Sequence, residues 1–291
     1  IRYTNEKTGE KQIELYSPQT VLATGGYAND RTNTSLLALH RPDLVPYPTT
    51  NGPWATGDGM KIAMGIGADT IDMDRVQIHP TGFVDPSAPD ASTKVLCGEM
   101  MRGVGGILLT SDGKRFVNEL APRDKVVDGQ LKSGSKEFAI VLNQAMATEA
   151  GKHVELYLKK GLLTKVSGAE GLAAWMASDV GVRGASSIDG SSNASSTAPV
   201  QESGVVSALS KAIRGTLASY SMYASAEKEA IEDGIVDPFG KTSFRHAPID
   251  SESVLCAGRI VPVLHYTMGG IKMDSEGRVL RADGSVIENL S

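Results

Sequence analysis

The sequence predicts a mixed fold, α/β in one part and α+β in another, and three observations carry that reading. The chain has 291 residues, room for about two ordinary domains. A short apolar run, Thr20-Val21-Leu22-Ala23-Thr24, ends in the pair Gly25-Gly26. That is the pattern of a buried parallel strand delivering backbone close to a ligand. Beyond it, candidate strands and helices mix without a strict βαβ alternation, so the middle of the chain reads as α+β.

Taken in order, Thr4 to Lys11 is polar and contains Thr8-Gly9-Glu10, a hairpin turn between two short strands. Residues 58–67 read as a short helix with Asp58 in its first turn, stopped by Gly67-Ala68-Asp69. Thr70 to Val76 alternates like a strand. Val104 to Thr110 is apolar and β-like, Ser111-Asp112-Gly113-Lys114 is a tight turn, and Arg115-Phe116-Val117 returns as a second strand. Phe138 to Leu142 is a further strand. Val154 to Gly161, Ala169 to Asp179 and Val205 to Asp233 read as helices. Between the last two, residues 184–203 are rich in Ser, Gly, Ala and Pro and read as an exposed flexible loop. Asp237 to Lys241 is a break, and Ala282-Asp283-Gly284 marks a last hairpin. The chain opens on Ile1-Arg2-Tyr3 and stops in a turn-like segment, so it is expected to be a piece of a longer one, with its compartment unknown.

Composition narrows the function classes. Lys+Arg 29 against Asp+Glu 34 gives a net charge of -5, which argues against a nucleic-acid binder. No run reaches the roughly 18 apolar residues of a membrane span. Cys97 and Cys256 cannot form a disulfide framework or a four-ligand zinc site, so no metal centre is expected and both read as reduced core thiols. Glycine supplies 32 residues, above an average of roughly 7% of a chain, and it falls in clusters.

Four segments concentrate groups that a plain core would not use. In Gln77-Ile78-His79-Pro80-Thr81-Gly82 the ordinary reading is a histidine fixed in a turn by the following proline. Glu99 and Arg102 stand three apart, which is ordinarily a surface pair of little consequence. Lys114 and Arg115 read as a solvated hairpin, whereas Arg123 beside Asp124, after Pro122, reads as a guanidinium oriented by a carboxylate. Finally, His265-Tyr266-Thr267 puts polar tips on an apolar strand directly before Met268-Gly269-Gly270. Singly each signal is weak. Together they would suit a small dianion next to a flat cofactor. His40, His153 and His246 read as structural or surface, and Met60, Met64 and Met268 as packing.

In this order, these motifs together with Thr56-Gly57-Asp58-Gly59 and Arg115-Phe116-Val117-Asn118-Glu119 resemble the flavoprotein subunit of the succinate dehydrogenase and fumarate reductase family. Soluble, eukaryotic-type fumarate reductases are the most similar, and the resemblance covers nearly the whole chain except the serine-rich loop. It implies a partial Rossmann-like FAD-binding domain with an inserted α+β capping domain: residues 1–74 and 266–291 in the former, 75–265 in the latter. The family's opening glycine-rich strand-turn-helix, which holds the FAD pyrophosphate, has no counterpart in the 291 residues, nor has its C-terminal segment. Gly98 stands where many bacterial relatives have a threonine that meets a substrate carboxylate.

The resemblance further implies the chemistry. Arg123 matches the proton donor, with Glu99 and Arg102 as its relay and Asp124 orienting its fork. His79, His265 and the Gly98 position match substrate contacts, while Ala23, Thr24, Gly25, Gly26, Asp58 and Tyr266 match cofactor contacts. The expected reaction is reduction of fumarate to succinate with FAD, from an electron donor not identified by any haem, iron–sulfur or NADH motif in the sequence. Succinate oxidation, or reduction of a related unsaturated acid or enone, stands as the same-fold alternative. The other alternative is a catalytically inert cap that only binds a carboxylate ligand or a partner.

Overall fold

The computed structural model describes residues 2–3, 8, 13–14, 17–178, 198–229 and 236–291. They divide into two units: Ile1–Pro46 with Asn51–Gln77 and Leu264–Ser291, and Tyr47–Thr50 with Ile78–Val263. The architecture is mixed α/β with antiparallel sheets. Among the described residues no helix is long and apolar enough to cross a membrane.

The first unit opens with β1 (Arg2–Tyr3) and β2 (Ile13–Glu14), paired antiparallel as the expected hairpin. Helix α1 (Leu36–His40) starts at Ser35, whose side chain accepts from Ala38 N at 2.9 Å. Buried Asp30 accepts from Leu36 N at 2.7 Å and meets Lys61 Nζ at 2.8 Å. Burial pushes the Asp30 carboxyl up, but Lys61, Thr32 and the two backbone donors outweigh it and hold it below its ordinary value. Lys61 lies on α2 (Asp58–Gly65), the predicted helix.

Two expectations for this unit are corrected. Thr20–Thr24 is not a buried strand: Val21 is 74% exposed and only Thr20 makes a parallel bridge, to Leu290. An apolar run becomes a buried strand only where neighbours flank it on both sides. Here the partner is the segment 289–291, through Thr20 N to Asn289 O, Leu22 N to Ser291 O and Ser291 N to Thr20 O. Nor does a strand run from Thr70 to Val76. β3 (Thr70–Ile71) stops at Asp72, which takes φ 55°, and Arg75 N closes a turn on Asp72 O at 2.9 Å. The aspartates of Asp72-Met73-Asp74 favour that turn over a ladder.

The chain leaves the first unit along β4 (Val76–Phe83). There follow β5 (Val95–Leu96), α3 (Met100–Gly103), β6 (Ile107–Leu109), α4 (Arg123–Ser133) and β7 (Phe138–Leu142). Next come α5 (Gln144–Ala150), α6 (Lys152–Lys159), β8 (Thr164–Ser167), α7 (Gly168–Ala177) and α8 (Ala198–Glu229). The long β9 (Val254–Thr267) leads back into the first unit, where β10 (Gly270–Ile271) pairs with β3.

The second unit's sheet runs β5-β4-β9-β7-β6, with β8 also on β9. Its centre explains the sequence pattern: β7 is apolar at every position and wholly buried, flanked by β6 (Leu108 opposite Ile140) and β9 (Ile140 opposite Gly258). Phe138, Ile140, Val141 and Leu142 each contribute about 1.5–3 kcal/mol by burial. α7 packs on α8, whose Leu209, Ile213, Leu217 and Tyr220 complete the core.

Three further readings change here. His79-Pro80 lies within a strand, not a turn. Arg115–Val117 forms no strand, because Arg115 turns inward to carboxylates and β6 pairs with β7 instead. α8 begins at Ala198, not Val205, with Pro199 in the first turn, where a missing N–H costs nothing. Residues 184–197 of the expected loop and 230–233 of the expected helix lie outside the described residues. Cys97 and Cys256 are free and buried, and burial pushes both thiols up.

Candidate active site

In the second unit one carboxylate oxygen holds two guanidinium groups. Glu99 precedes α3 and Arg102 lies in its last turn, so the helical spacing of three brings them to one side. Arg102 Nη2 donates to Glu99 Oε1 at 3.3 Å, and its Nη1 donates to Glu119 O at 2.6 Å. Arg123, the first residue of α4 after Pro122, donates from Nε to the same Glu99 Oε1 at 2.7 Å. Exposure differs along the chain and peaks at its centre: the Arg102 side chain is 5% exposed, Glu99 50% and Arg123 26%. The hydrogen bond from Arg123, helped by the charges of both arginines against partial burial, holds the Glu99 carboxyl down at about 2. Burial lowers the Arg102 guanidinium, and Glu99 opposes it. Asp124 does not take the orienting place expected of it. Its side chain is 74% exposed with Lys125 Nζ 4.0 Å away, and the carboxylate on Arg123 is that of Glu99.

His79 stands behind this group on β4, fully buried. Thr81 N donates to His79 Nδ1 at 3.2 Å, and Thr81 Oγ1 donates to Cys97 O at 2.8 Å, two residues before Glu99. Tyr157 Oη accepts from Gly98 N at 3.3 Å and donates to Leu96 O at 3.1 Å, pinning the same segment. Gln130, on the α4 helix that Arg123 opens, donates to Pro80 O at 2.9 Å. Sequence reasoning missed Thr81, Tyr157 and Gln130 as functional residues. Gln130 was the findable one, a polar residue four positions from Val126 on a buried helix face.

A second cluster lies next along the chain, and it corrects the reading of Arg115 as solvated. Arg115 grips Glu119 bidentately, Nε to Oε1 at 2.7 Å and Nη2 to Oε2 at 2.9 Å, and its Nη1 reaches Asp237. Lys241 Nζ donates to Glu119 Oε2 at 2.9 Å. The Arg115 guanidinium and the Lys241 ammonium lie 5.0 and 5.3 Å from the centre of the Tyr220 ring. Burial pushes Glu119 up, yet Arg115 and Lys241 together hold it below its ordinary value. Lys114 does remain in solvent, against Asp112.

The other predicted residues fall in the first unit, where three segments converge. Gly57 N donates to Gly26 O at 3.1 Å. A Cβ on Gly26 would lie 2.1 Å from Thr267 Oγ1, and one on Gly59 2.1 Å from Thr24 Oγ1. The absence of side chains is what lets 24–26, the start of α2 and the end of β9 meet. Ala23, Thr24 and Gly25 are exposed, and Gly25, at φ 74°, has open space where a Cβ would be. Asp58 accepts from Thr56 Oγ1 at 2.9 Å. The His265 and Tyr266 rings are 4.1 Å apart, Tyr266 is 51% exposed, and Asn51 Nδ2 fixes His265 O at 2.8 Å. Met268, read as packing, is 63% exposed, because it follows the end of the strand. Exposed backbone beside an aromatic ring, with nothing filling the space at Gly25, fits one side of a flat cofactor.

A sequence profile described as FAD binding domain matches residues 3–290. The chain belongs to that family. It is 40% identical over 276 residues to a fumarate reductase from Schizosaccharomyces pombe, covering 95% of this chain and 46% of that protein. It is 31% identical over 282 residues to fumarate reductase 1 from Saccharomyces cerevisiae, covering 94% and 51%. Among solved structures, the open conformation of a flavocytochrome c3 fumarate reductase aligns with a TM-score of 0.63 at 27% identity, covering 94% of this chain and 40% of that one. This FAD-binding chain thus spans about half the length of the curated relatives it matches.

Proposed function

We propose that the chain belongs to an FAD-dependent fumarate reductase, in which Ile78–Val263 serves as an inserted, substrate-closing α+β cap and the other unit is part of a Rossmann-like FAD-binding domain. The division at residues 77/78 and 263/264 supports this organisation, close to the boundaries at 74/75 and 265/266 that the resemblance implies. The observation that carries the function is the chain Arg123–Glu99–Arg102, two cations on one carboxylate oxygen at 2.7 and 3.3 Å.

Reducing fumarate takes a hydride on one alkene carbon and a proton on the other. FAD, held by Ala23, Thr24, Gly25, Gly26, Asp58 and Tyr266, supplies the hydride when bound. His79 and His265 bind the substrate carboxylates. At Gly98 a Cβ would have only Tyr157 Oη within 4 Å, at 3.6 Å, which leaves room for a carboxylate beside the main chain. Arg123 delivers the proton. A guanidinium, with its pKa above about 12, gives up a proton only when geometry is fixed and the proton is replaced at once. Glu99 does both. Its hydrogen bond fixes Arg123, and its half-exposed carboxylate reaches water. The hydrogen bond from Arg123, with the positive charge behind it, is the main cause of Glu99's low proton affinity. When Arg123 loses that charge, Glu99 gains affinity for a proton at the moment it must pass one on.

Arg123→Lys tests the assignment in the full-length protein. Turnover of fumarate should vanish while fumarate binding, measured by calorimetry, persists; a near wild-type rate would show that another group is the acid.

A further inference from the structure

We infer that Thr81 sets the protonation of His79, holding it as the neutral tautomer with its proton on Nε2. Cys97 N donates to Thr81 O at 2.9 Å, so in this antiparallel pairing Thr81 N–H also faces Cys97. Cys97 O, however, takes the Thr81 hydroxyl at 2.8 Å, and the main-chain N–H is turned onto His79 Nδ1 at 3.2 Å instead. An N–H can donate only to a nitrogen with a free lone pair, so Nδ1 is unprotonated. In a neutral imidazole the proton then sits on Nε2.

The competing arrangement has Nδ1–H donating to Thr81 Oγ1, which is 3.3 Å away. That would set two N–H groups against each other across 3.2 Å and strip a buried main-chain donor of its acceptor. Thr81, His79 and Cys97 are each fully buried, so water offers no substitute. Gln130 Nε2 on Pro80 O holds the residue between them, fixing the two-residue loop-back geometrically. Thr81 is thus a positioning residue: it presents His79 as an Nε2–H donor, the form that can meet a carboxylate. The carboxylate rests on the proposed function; the tautomer does not.

Nitrogen-detected NMR of the full chain labelled at histidine tests it, with His79→Gln deleting the resonances to assign them. At neutral pH, Nε2 should show the signal of a protonated ring nitrogen and Nδ1 that of an unprotonated one. A proton on Nδ1, alone or with one on Nε2, overturns the inference. Thr81→Val removes the hydroxyl that occupies Cys97 O and frees the main-chain N–H to return to it, so the Nε2–H tautomer should lose population; an unchanged tautomer would overturn the role of Thr81. Fumarate affinity is read separately. A glutamine amide can reach the Nε2 position and an asparagine only that of Nδ1, so His79→Gln should bind fumarate about tenfold or more tighter than His79→Asn. Equal affinities with the Nε2 proton in place would sink the carboxylate contact and leave the tautomer standing.

Discussion

Glu119→Gln probes the buried charge cluster beside the arginine chain. Arg115 and Lys241 balance Glu119 and Asp237, and the last three side chains are 0% exposed. The substitution keeps the shape and removes one negative charge. Arg115 retains Asp237, so the loss falls on Lys241, whose ammonium burial already lowers and Glu119 chiefly supports. Breaking one partner out of a buried pair costs about 3–5 kcal/mol. An independent bound comes from the lysine itself. At pH 7 a buried lysine can escape by losing its proton, which costs at most about 1.4 kcal/mol for each of about 3.4 pH units below its ordinary value, or about 5 kcal/mol. The two routes agree, so the second unit should lose about 3–5 kcal/mol.

The pH dependence is diagnostic. In the variant the folded lysine titrates below the unfolded one, so the folded state binds fewer protons and stability rises with pH. The penalty should therefore shrink by about 1.4 kcal/mol per unit from neutral pH towards about 10, where the unfolded lysine also deprotonates. Denaturant unfolding at pH 7, 8 and 9 measures this. Adding Lys241→Met should restore much of the loss at pH 7, since a neutral chain would fill the slot against Tyr220 and Phe244. A loss under about 1 kcal/mol, a penalty unchanged between pH 7 and 9, or strict additivity in the double variant would refute the reasoning.

Glu99 titrates at about 2, so its stabilising share is complete above the ordinary carboxylate range and is lost only as pH falls towards 2; half-exposed, it contributes under about 1 kcal/mol, and carboxyl-carbon NMR should show it ionised at pH 3. Asp30→Asn removes the charge that meets Lys61 and weakens the acceptor of Leu36 N, and should cost the first unit about 1–3 kcal/mol by denaturant unfolding. Because the Asp30 carboxyl is held low, that difference should be full at neutral pH and fade as acid protonates the wild-type group. Gly59→Ala puts a methyl against Thr24 and Leu22, so flavin absorbance of the purified protein should fall while its helix content, by circular dichroism, holds.

Where chemistry sits at short spacing, the sequence shows it: Glu99 and Arg102 three apart on a helical turn, an apolar β7, and helix α2 between Asp58 and Gly67. Arg115 is the opposite case. A charged residue after Asp-Gly-Lys has every local mark of a solvated hairpin, yet its second carboxylate, Asp237, stands 122 positions away. No window of periodicity contains that partner. The same holds for Thr20–Thr24, whose burial depends on strands elsewhere rather than on its own apolar character.

This difference in range separates the two arginines that local pattern makes look alike. Arg123 is 26% exposed, and its bond to Glu99 joins side chains that water reaches, so on the proposed function changing it removes the proton donor and leaves the fold. Arg115 is 5% exposed and tied to two buried carboxylates, so changing it strips Asp237 of its guanidinium and leaves Glu119 with Lys241 as its cation. On the proposed function a variant at either position would be inactive, so loss of activity alone cannot rank them, and only the unfolding curve tells a missing proton from a missing counter-charge.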